Sequence, residues 1–261
     1  EPYKTYQEYF NVYADVAMSY ESGVCSNVNV WRDTKFDTTY GAGDNERLKI
    51  DPDGVMNYIM NEVTGSVVTS QNVGQTLVVC ILNSDAYEGI CTLYTNGAAV
   101  AFVPHSRSEY PYDYRGVIQH EAGGHGFGKL GDEYIYHRDH ILRCTCDCCA
   151  HAGELNIMKS LGWHRNLSLS GKYNEIEWKH LIFDARYDDI VDIYEGGYFH
   201  GKGVYRSEVN SCMNNNVPYF STWSRQIAVE RIKAIAGEEY SFEEFVAAAV
   251  SGGRSSGRNN R

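Results

Sequence analysis

The chain has 261 residues, enough for one or two hydrophobic cores, since a domain usually takes about 100–200 residues. Hydrophobic residues make up 43% of it and charged residues 22%, which excludes an intrinsically disordered chain. The formal net charge of −11 argues against nucleic acid as a partner, because phosphate backbones are also negative. The apolar runs are all shorter than the ~20 residues of a membrane-spanning helix, so we expect no membrane span.

The first part of the chain combines helix and strand patterns. Residues 52–63 place apolar side chains at helical intervals after an aspartate, which predicts a capped helix. Residues 76–82 form a continuous apolar run, which is typical of a strand buried on both faces. The Asn96-Gly97 pair lies between two apolar segments and predicts a hairpin with a two-residue turn. We expect another helix over residues 115–128.

Residues 120–134, HEAGGHGFGKLGDEY, concentrate groups that bind metal ions. Neutral imidazoles and a carboxylate are the usual protein ligands of a catalytic zinc ion, which keeps its fourth position for water. His120, His125 and Asp132 offer such a set, because glycines after the second histidine allow the chain to turn back. Glu133 follows Asp132 directly, so the choice between these two carboxylates stays open.

The spacing of the two histidines is unusual for a helical metal site. Residues five apart in an α-helix are separated by about 500° of rotation, which leaves the rings about 140° apart around the axis. A π-bulge at Gly123-Gly124 would return His120 and His125 to one face, and we favour this interpretation. In the alternative, Glu121 and His125 are the ligands, at i and i+4, and His120 only supports them.

A cysteine-rich segment follows the motif, with four of the eight cysteines between positions 144 and 149. His137 and His140 are three residues apart, as are Cys146 and Cys149, so these four residues are candidates for a second, structural zinc ion. A loop joined by disulfides in an exported protein explains the same residues, and we favour disulfides or free thiols over a second metal ion.

The second half of the chain carries fewer strand signals, and we expect an irregular region from about residue 130 to 215. Two helices should follow it. The first covers residues 222–236 and is ended by Gly237. The second begins at Ser241, which forms a capping box with Glu244.

The motif of residues 120–134 resembles that of the bacterial immunoglobulin A-cleaving metalloendopeptidases, a metzincin-like family of zinc peptidases. The family pattern runs His-Glu, Gly, His, an aromatic residue, Gly, Leu and then Asp-Glu-Tyr. Other segments look like the peptidase domain of that family, and together they span nearly the whole chain apart from its tail: residues 9–24, 77–89, 96–102, 193–215 and 224–232.

The resemblance implies a metzincin-like zincin fold of α/β (α+β) class. We expect an N-terminal subdomain over residues 1–128, with a mixed β-sheet and the active-site helix. A C-terminal subdomain over residues 129–250, irregular and helical, would carry the third metal ligand and a methionine-containing turn, the Met-turn. Residues 251–261 contain no apolar side chain and are expected to be a disordered tail.

The resemblance also implies a role for each residue of the site. His120, His125 and Asp132 would be ligands of a catalytic Zn²⁺, Glu121 the general base and acid, and Met213 the Met-turn residue. We therefore predict a zinc-dependent endopeptidase that acts on a protein or peptide substrate. The alternative is a catalytically inactive module that keeps the metal and binds a host glycoprotein or polysaccharide.

The location of the protein is predicted less directly. The chain begins at Glu1 without a signal-type segment, so we expect a processed or cut form of a longer product. The resemblance and the even cysteine count favour export from a bacterium, to the periplasm, the cell surface or the medium.

Overall fold

A computed structural model describes residues 1–26, 30–41, 48–142 and 151–253. Helices and mixed sheets together make the fold α+β, which confirms the predicted class. The chain divides into two compact units, one formed by Val12–Phe127 and the other by Glu1–Asn11 with the chain from Gly128 onward. Among the helices of the described ranges, none is long and apolar enough to cross a membrane.

The unit Val12–Phe127 is built on a three-stranded sheet in the order β3-β5-β4. Strand β3 runs parallel to β5, and β4 runs antiparallel to it. A helix α2 and a π-helix follow β5, and the π-helix packs against all three strands. The elements are β1 (Cys25–Ser26), β2 (Thr39–Tyr40), α1 (Pro52–Asn61), β3 (Leu77–Leu82), β4 (Ile90–Leu93), β5 (Ala99–Pro104), α2 (Tyr114–Ile118) and the π-helix (Gln119–Phe127).

The helix predicted over residues 52–63 is confirmed as α1, with Asp51 as its cap. The strand predicted over residues 76–82 is confirmed as β3. The prediction that this strand is buried on both faces is wrong. Val79 is 37% exposed and Ile81 58% exposed, whereas every residue of β5 is buried. The reason is strand order, because β5 occupies the centre of the sheet and β3 its edge.

The predicted hairpin is confirmed, but its turn is longer than expected. Strands β4 and β5 pair from Leu93 and Ala99 outward, and the amide of Tyr94 donates to the carbonyl oxygen of Ala98. Only Gly97 in this turn has a positive φ, of 103°, while Asn96 does not. A two-residue type I′ turn needs positive φ at both central residues, which this loop does not have. The loop instead has three residues, with glycine in the left-handed position.

The unit from Gly128 onward contains a four-stranded sheet where the sequence led us to expect irregular structure. Strand β9 pairs with β8 along one side and with β6 and β7 on the other. Glycines within β8 and β9 weaken the strand signal, because glycine has low strand propensity. The elements are β6 (Ile135–His140), α3 (His151–Ser160), β7 (Leu167–Ser168), α4 (Lys179–Ile182), β8 (Tyr194–Gly197), β9 (Phe199–Arg206), α5 (Cys212–Asn215), α6 (Thr222–Ala236) and α7 (Phe242–Gly253).

Both predicted C-terminal helices are confirmed. Helix α6 ends at Gly237, whose φ of 72° is the left-handed conformation that glycine adopts without strain. Helix α7 follows Ser241, whose hydroxyl accepts a hydrogen bond from the amide of Glu244. Of the predicted tail 251–261, the first three residues belong to α7 and residues 254–261 lie outside the described residues.

The difference in burial between β3 and β5 predicts different tolerance to the same substitution. Val100→Thr places a hydroxyl in a site with 0% exposure, and we expect the free energy of unfolding to fall by about 1–3 kcal/mol. Val79→Thr on β3, at 37% exposure, should change it by less than about 0.5 kcal/mol. Urea unfolding of the two variants checks this, and equal losses would contradict the assigned strand order.

Candidate metal centre

The segment that carries both histidines is a π-helix, Gln119–Phe127. Each amide of a π-helix bonds to the carbonyl five residues earlier, so residues five apart lie on one face. The rings of His120 and His125 accordingly have centroids 4.9 Å apart, at an interplanar angle of 73°. The favoured interpretation of the spacing is confirmed, although the π conformation extends along the whole segment instead of a single bulge.

His120, His125 and Asp132 each offer one ligand atom, and these atoms all lie within 4.8 Å of one another. The three residues belong to one continuous stretch of the chain. His120 is buried, and the other two are half-buried. The group contains His120 and not Glu121, as in the first of the two ligand sets considered from the sequence. The roles of these residues as metal ligands stay a prediction.

The two adjacent carboxylates of this stretch have different surroundings. Glu133 is fully buried, and its carboxylate accepts hydrogen bonds from Ser211 Oγ at 2.6 Å and from Asn166 Nδ2 at 2.9 Å. Burial raises the pKa of Glu133, while those two hydrogen bonds act in the opposite direction. Both of its oxygens are therefore engaged inside the fold, and Asp132 is the carboxylate that joins the two histidines.

Glu121 lies beside His120 on the π-helix and is 9% exposed. Its side chain rests against Gly89, the residue before β4. A Cβ atom on Gly89 would lie 2.7 Å from Glu121 Cγ and 2.8 Å from its Oε1. Gly89 therefore leaves the space that the Glu121 carboxylate occupies. Nothing in the sequence pattern connected Gly89 with Glu121, because the contact joins the residue before β4 to a helix much later in the chain.

Met213 lies in α5, a short helix capped by Ser211, and is completely buried. The amide of Met213 donates to Ser211 Oγ at 3.1 Å, and its carbonyl oxygen accepts from the amide of Glu133 at 2.7 Å. The turn that contains Met213 is thus bonded directly to the residue after Asp132. Its predicted role as the Met-turn residue stays a prediction.

The predicted second cluster is described only in part. His137 and His140 lie on β6, whereas Cys146 and Cys149 lie outside the described residues. Two histidines that the spacing did not reveal lie close to this segment: the ring of His200 has its centroid 5.6 Å from that of His137, and His151 contacts His200. His200 on β9 has 0% exposure, with its Nε2 at 2.9 Å from His151 Nδ1 and its Nδ1 at 3.3 Å from Asp139 Oδ1. Whether the cluster binds metal or forms disulfides stays a prediction.

A family model described as IgA Peptidase M64 matches residues 1–147, more than half of the chain. The chain belongs to the IgA peptidase M64 family. The match confirms the resemblance seen in the sequence and makes the protein a peptidase, of a metallopeptidase family, with peptides as substrates. A search of curated proteins found no match.

The contact between Gly89 and Glu121 predicts that Gly89→Ala impairs peptidase activity without unfolding the protein. The added methyl group would lie 2.5 Å from Val117 Cγ1 as well as against Glu121, and the flexible glutamate is the group that can turn away. We expect kcat to fall by about 100-fold, because a misplacement of about 1 Å caused by a mutation away from the chemistry can have that effect.

Cleavage of a fluorogenic peptide measures this change, and the metal content and melting temperature of the same sample show whether the fold is intact. Gly153→Ala is the matched control, since a Cβ atom at Gly153 meets nothing within 4 Å. Wild-type kcat in Gly89→Ala would mean that the space beside Glu121 is not needed.

Proposed function

We propose that this member of the IgA peptidase M64 family is a zinc-dependent endopeptidase. The observation that carries the proposal is the convergence of His120, His125 and Asp132, with ligand atoms within 4.8 Å of one another. Two imidazoles and one carboxylate are typical of a catalytic zinc site with an open position for water. Mg²⁺ and Ca²⁺ prefer sites made only of oxygen ligands, which this set is not.

The dimensions of the group support zinc as well. Protein ligands of zinc lie at about 2.0–2.2 Å from the ion, so two ligand atoms in a tetrahedral site are about 3.4 Å apart. The ligand atoms of the three side chains all lie within 4.8 Å of one another, which is compatible with that spacing. The π-helix holds His120 and His125 on one face.

We assign the proton transfer to Glu121. When bound, zinc lowers the pKa of a coordinated water to about 7 and polarises the carbonyl group of the scissile peptide bond. Glu121 accepts the proton that the attacking water loses as its oxygen bonds to the carbonyl carbon. The same carboxyl group donates that proton to the nitrogen as the C–N bond breaks. No side chain forms a covalent bond to the substrate in this scheme.

The main alternative, a metal-containing binding module without activity, is disfavoured by two features. The chain belongs to a peptidase family. It also keeps Glu121, the proton-transfer group, with Gly89 leaving space for its side chain. A module that only binds would require neither. Hydrolysis of casein, with and without a chelator, distinguishes the two functions.

Glu121→Gln tests the role of the general base. Glutamine has the same size but cannot accept the proton of the water, so we expect kcat to fall by about 10²–10⁴-fold with zinc still bound. Glu62→Gln is the control, because this glutamate is half exposed and pairs only with Lys35 among the described contacts. Substantial hydrolysis by a zinc-loaded Glu121→Gln protein would overturn this assignment.

Removal of the metal tests the cofactor itself. Treatment with 1,10-phenanthroline should abolish hydrolysis, and one equivalent of Zn²⁺ per chain should restore it. His125→Ala should lose both the metal and the activity, because it removes one of the three ligands. Mass spectrometry of metal content gives the stoichiometry. Full activity in metal-free protein would contradict the proposal, and a second tightly bound zinc that Cys146→Ser removes would assign the cysteine cluster to a metal site.

A further inference from the structure

The turn Gly131–Glu133, here called the Asp132 turn, is held by hydrogen bonds on both sides of Asp132. On one side is Asn166, whose side chain is completely buried. Its Oδ1 accepts from the amide of Gly131 at 2.8 Å, and its Nδ2 donates to the carbonyl oxygen of Gly131 at 2.8 Å. The same Nδ2 donates to Glu133 Oε1 at 2.9 Å. One amide group thus bonds to the residues before and after Asp132.

On the other side is the turn that contains Met213. Glu133 Oε2 accepts from Ser211 Oγ at 2.6 Å, and the amide of Glu133 donates to the carbonyl oxygen of Met213 at 2.7 Å. Ser211 Oγ also accepts from the amide of Met213 at 3.1 Å. Arg206 supplies positive charge near the Glu133 carboxylate. Every hydrogen-bonding atom of the Glu133 side chain is therefore paired in a buried network.

Asp132 itself differs from its two neighbours. It is half-buried, its carbonyl oxygen accepts from the amide of Tyr198 at 2.9 Å, and its carboxylate is the one grouped with the histidines. Gly131 cannot be replaced easily, because a Cβ atom there would lie 2.8 Å from Leu167 Cδ1 and 3.0 Å from His164 Cγ. The backbone of the turn is thus held in one conformation, with the Asp132 carboxylate grouped with the two histidines.

We propose that Asn166 and Glu133 are positioning residues that hold the Asp132 turn in the conformation that presents the Asp132 carboxylate to the metal. The inference rests on the proposed function, because it needs Asp132 to be a ligand. A satisfied buried polar network is rigid, so the ligand does not have to be ordered when the ion binds. Groups that orient a ligand in this way commonly change metal affinity by about 10–100-fold when they are mutated.

The competing explanation is that the network only stabilises the fold. Asn166→Asp separates the two, because aspartate has the same shape and still accepts from the amide of Gly131. It cannot donate to the Gly131 carbonyl oxygen or to Glu133, and it places a second carboxylate beside the first. We expect the Kd for Zn²⁺ of the full chain to rise by about 10–100-fold, measured by competition with a chromogenic chelator.

Gln226→Glu is the matched control. Gln226 is a buried amide in the same unit, with His180 and Glu230 as its side-chain partners, and the change also places a carboxylate beside an existing one. We expect it to lower the melting temperature of the metal-free protein as Asn166→Asp does, while its Kd for Zn²⁺ stays within about twofold of wild type. Thermal melts without metal measure the loss of stability separately from the affinity.

Each outcome decides a different point. Weaker zinc binding in Asn166→Asp but not in Gln226→Glu supports the positioning role. Unchanged affinity in a folded Asn166→Asp protein overturns it, even if that protein melts earlier. If Asn166→Asp does not fold, Glu133→Gln allows the same comparison of zinc affinity with stability. Glutamine has the size of glutamate and keeps one oxygen that accepts hydrogen bonds. Unchanged zinc affinity in Asp132→Asn would instead refute Asp132 as a ligand, which is a failure of the proposed function.

Discussion

The candidate metal centre of this peptidase depends on one backbone constraint, the i to i+5 hydrogen bonding of the π-helix Gln119–Phe127. In an α-helix the rings of His120 and His125 would point about 140° apart, and no single ion could bind both. The glycines of the segment allow this conformation and also permit close packing. A Cβ atom on Gly126 would lie 2.6 Å from Leu77 Cδ1 of β3, so the sheet approaches the helix where a side chain is missing.

A second constraint is burial, which gives two adjacent carboxylates different surroundings. Asp132 and Glu133 are neighbours in the sequence and similar in chemistry, yet only Asp132 joins the histidines. Glu133 is completely buried and accepts hydrogen bonds from Ser211 and Asn166. Partners for a buried carboxylate offset the large cost of removing it from water, so Glu133 belongs to the interior of the fold. The separation of roles follows from position in the fold rather than from residue type.

The parts of the fold that were predicted correctly are those that local chemistry determines. Helices α1, α6 and α7 have caps or glycine stops within a few residues of their ends, and these can be read from the sequence. Strand order is not local. The apolar run of β3 resembles that of a central strand, but its neighbours in the sheet leave Ile81 58% exposed. The sheet around β9 was missed because glycine-rich strands are stabilised by their partners, not by their own propensity.

For the site, the sequence alone determined which residues are candidates for binding a metal, since imidazoles and carboxylates are the usual ligands whatever the fold. It also favoured a π-type helix, because a five-residue spacing fits no α-helical face. Tertiary structure decided which carboxylate lies beside the histidines, that Gly89 leaves space for Glu121, and that Asn166 bonds to both sides of Asp132. These contacts join residues far apart in the chain, and only packing brings such residues together.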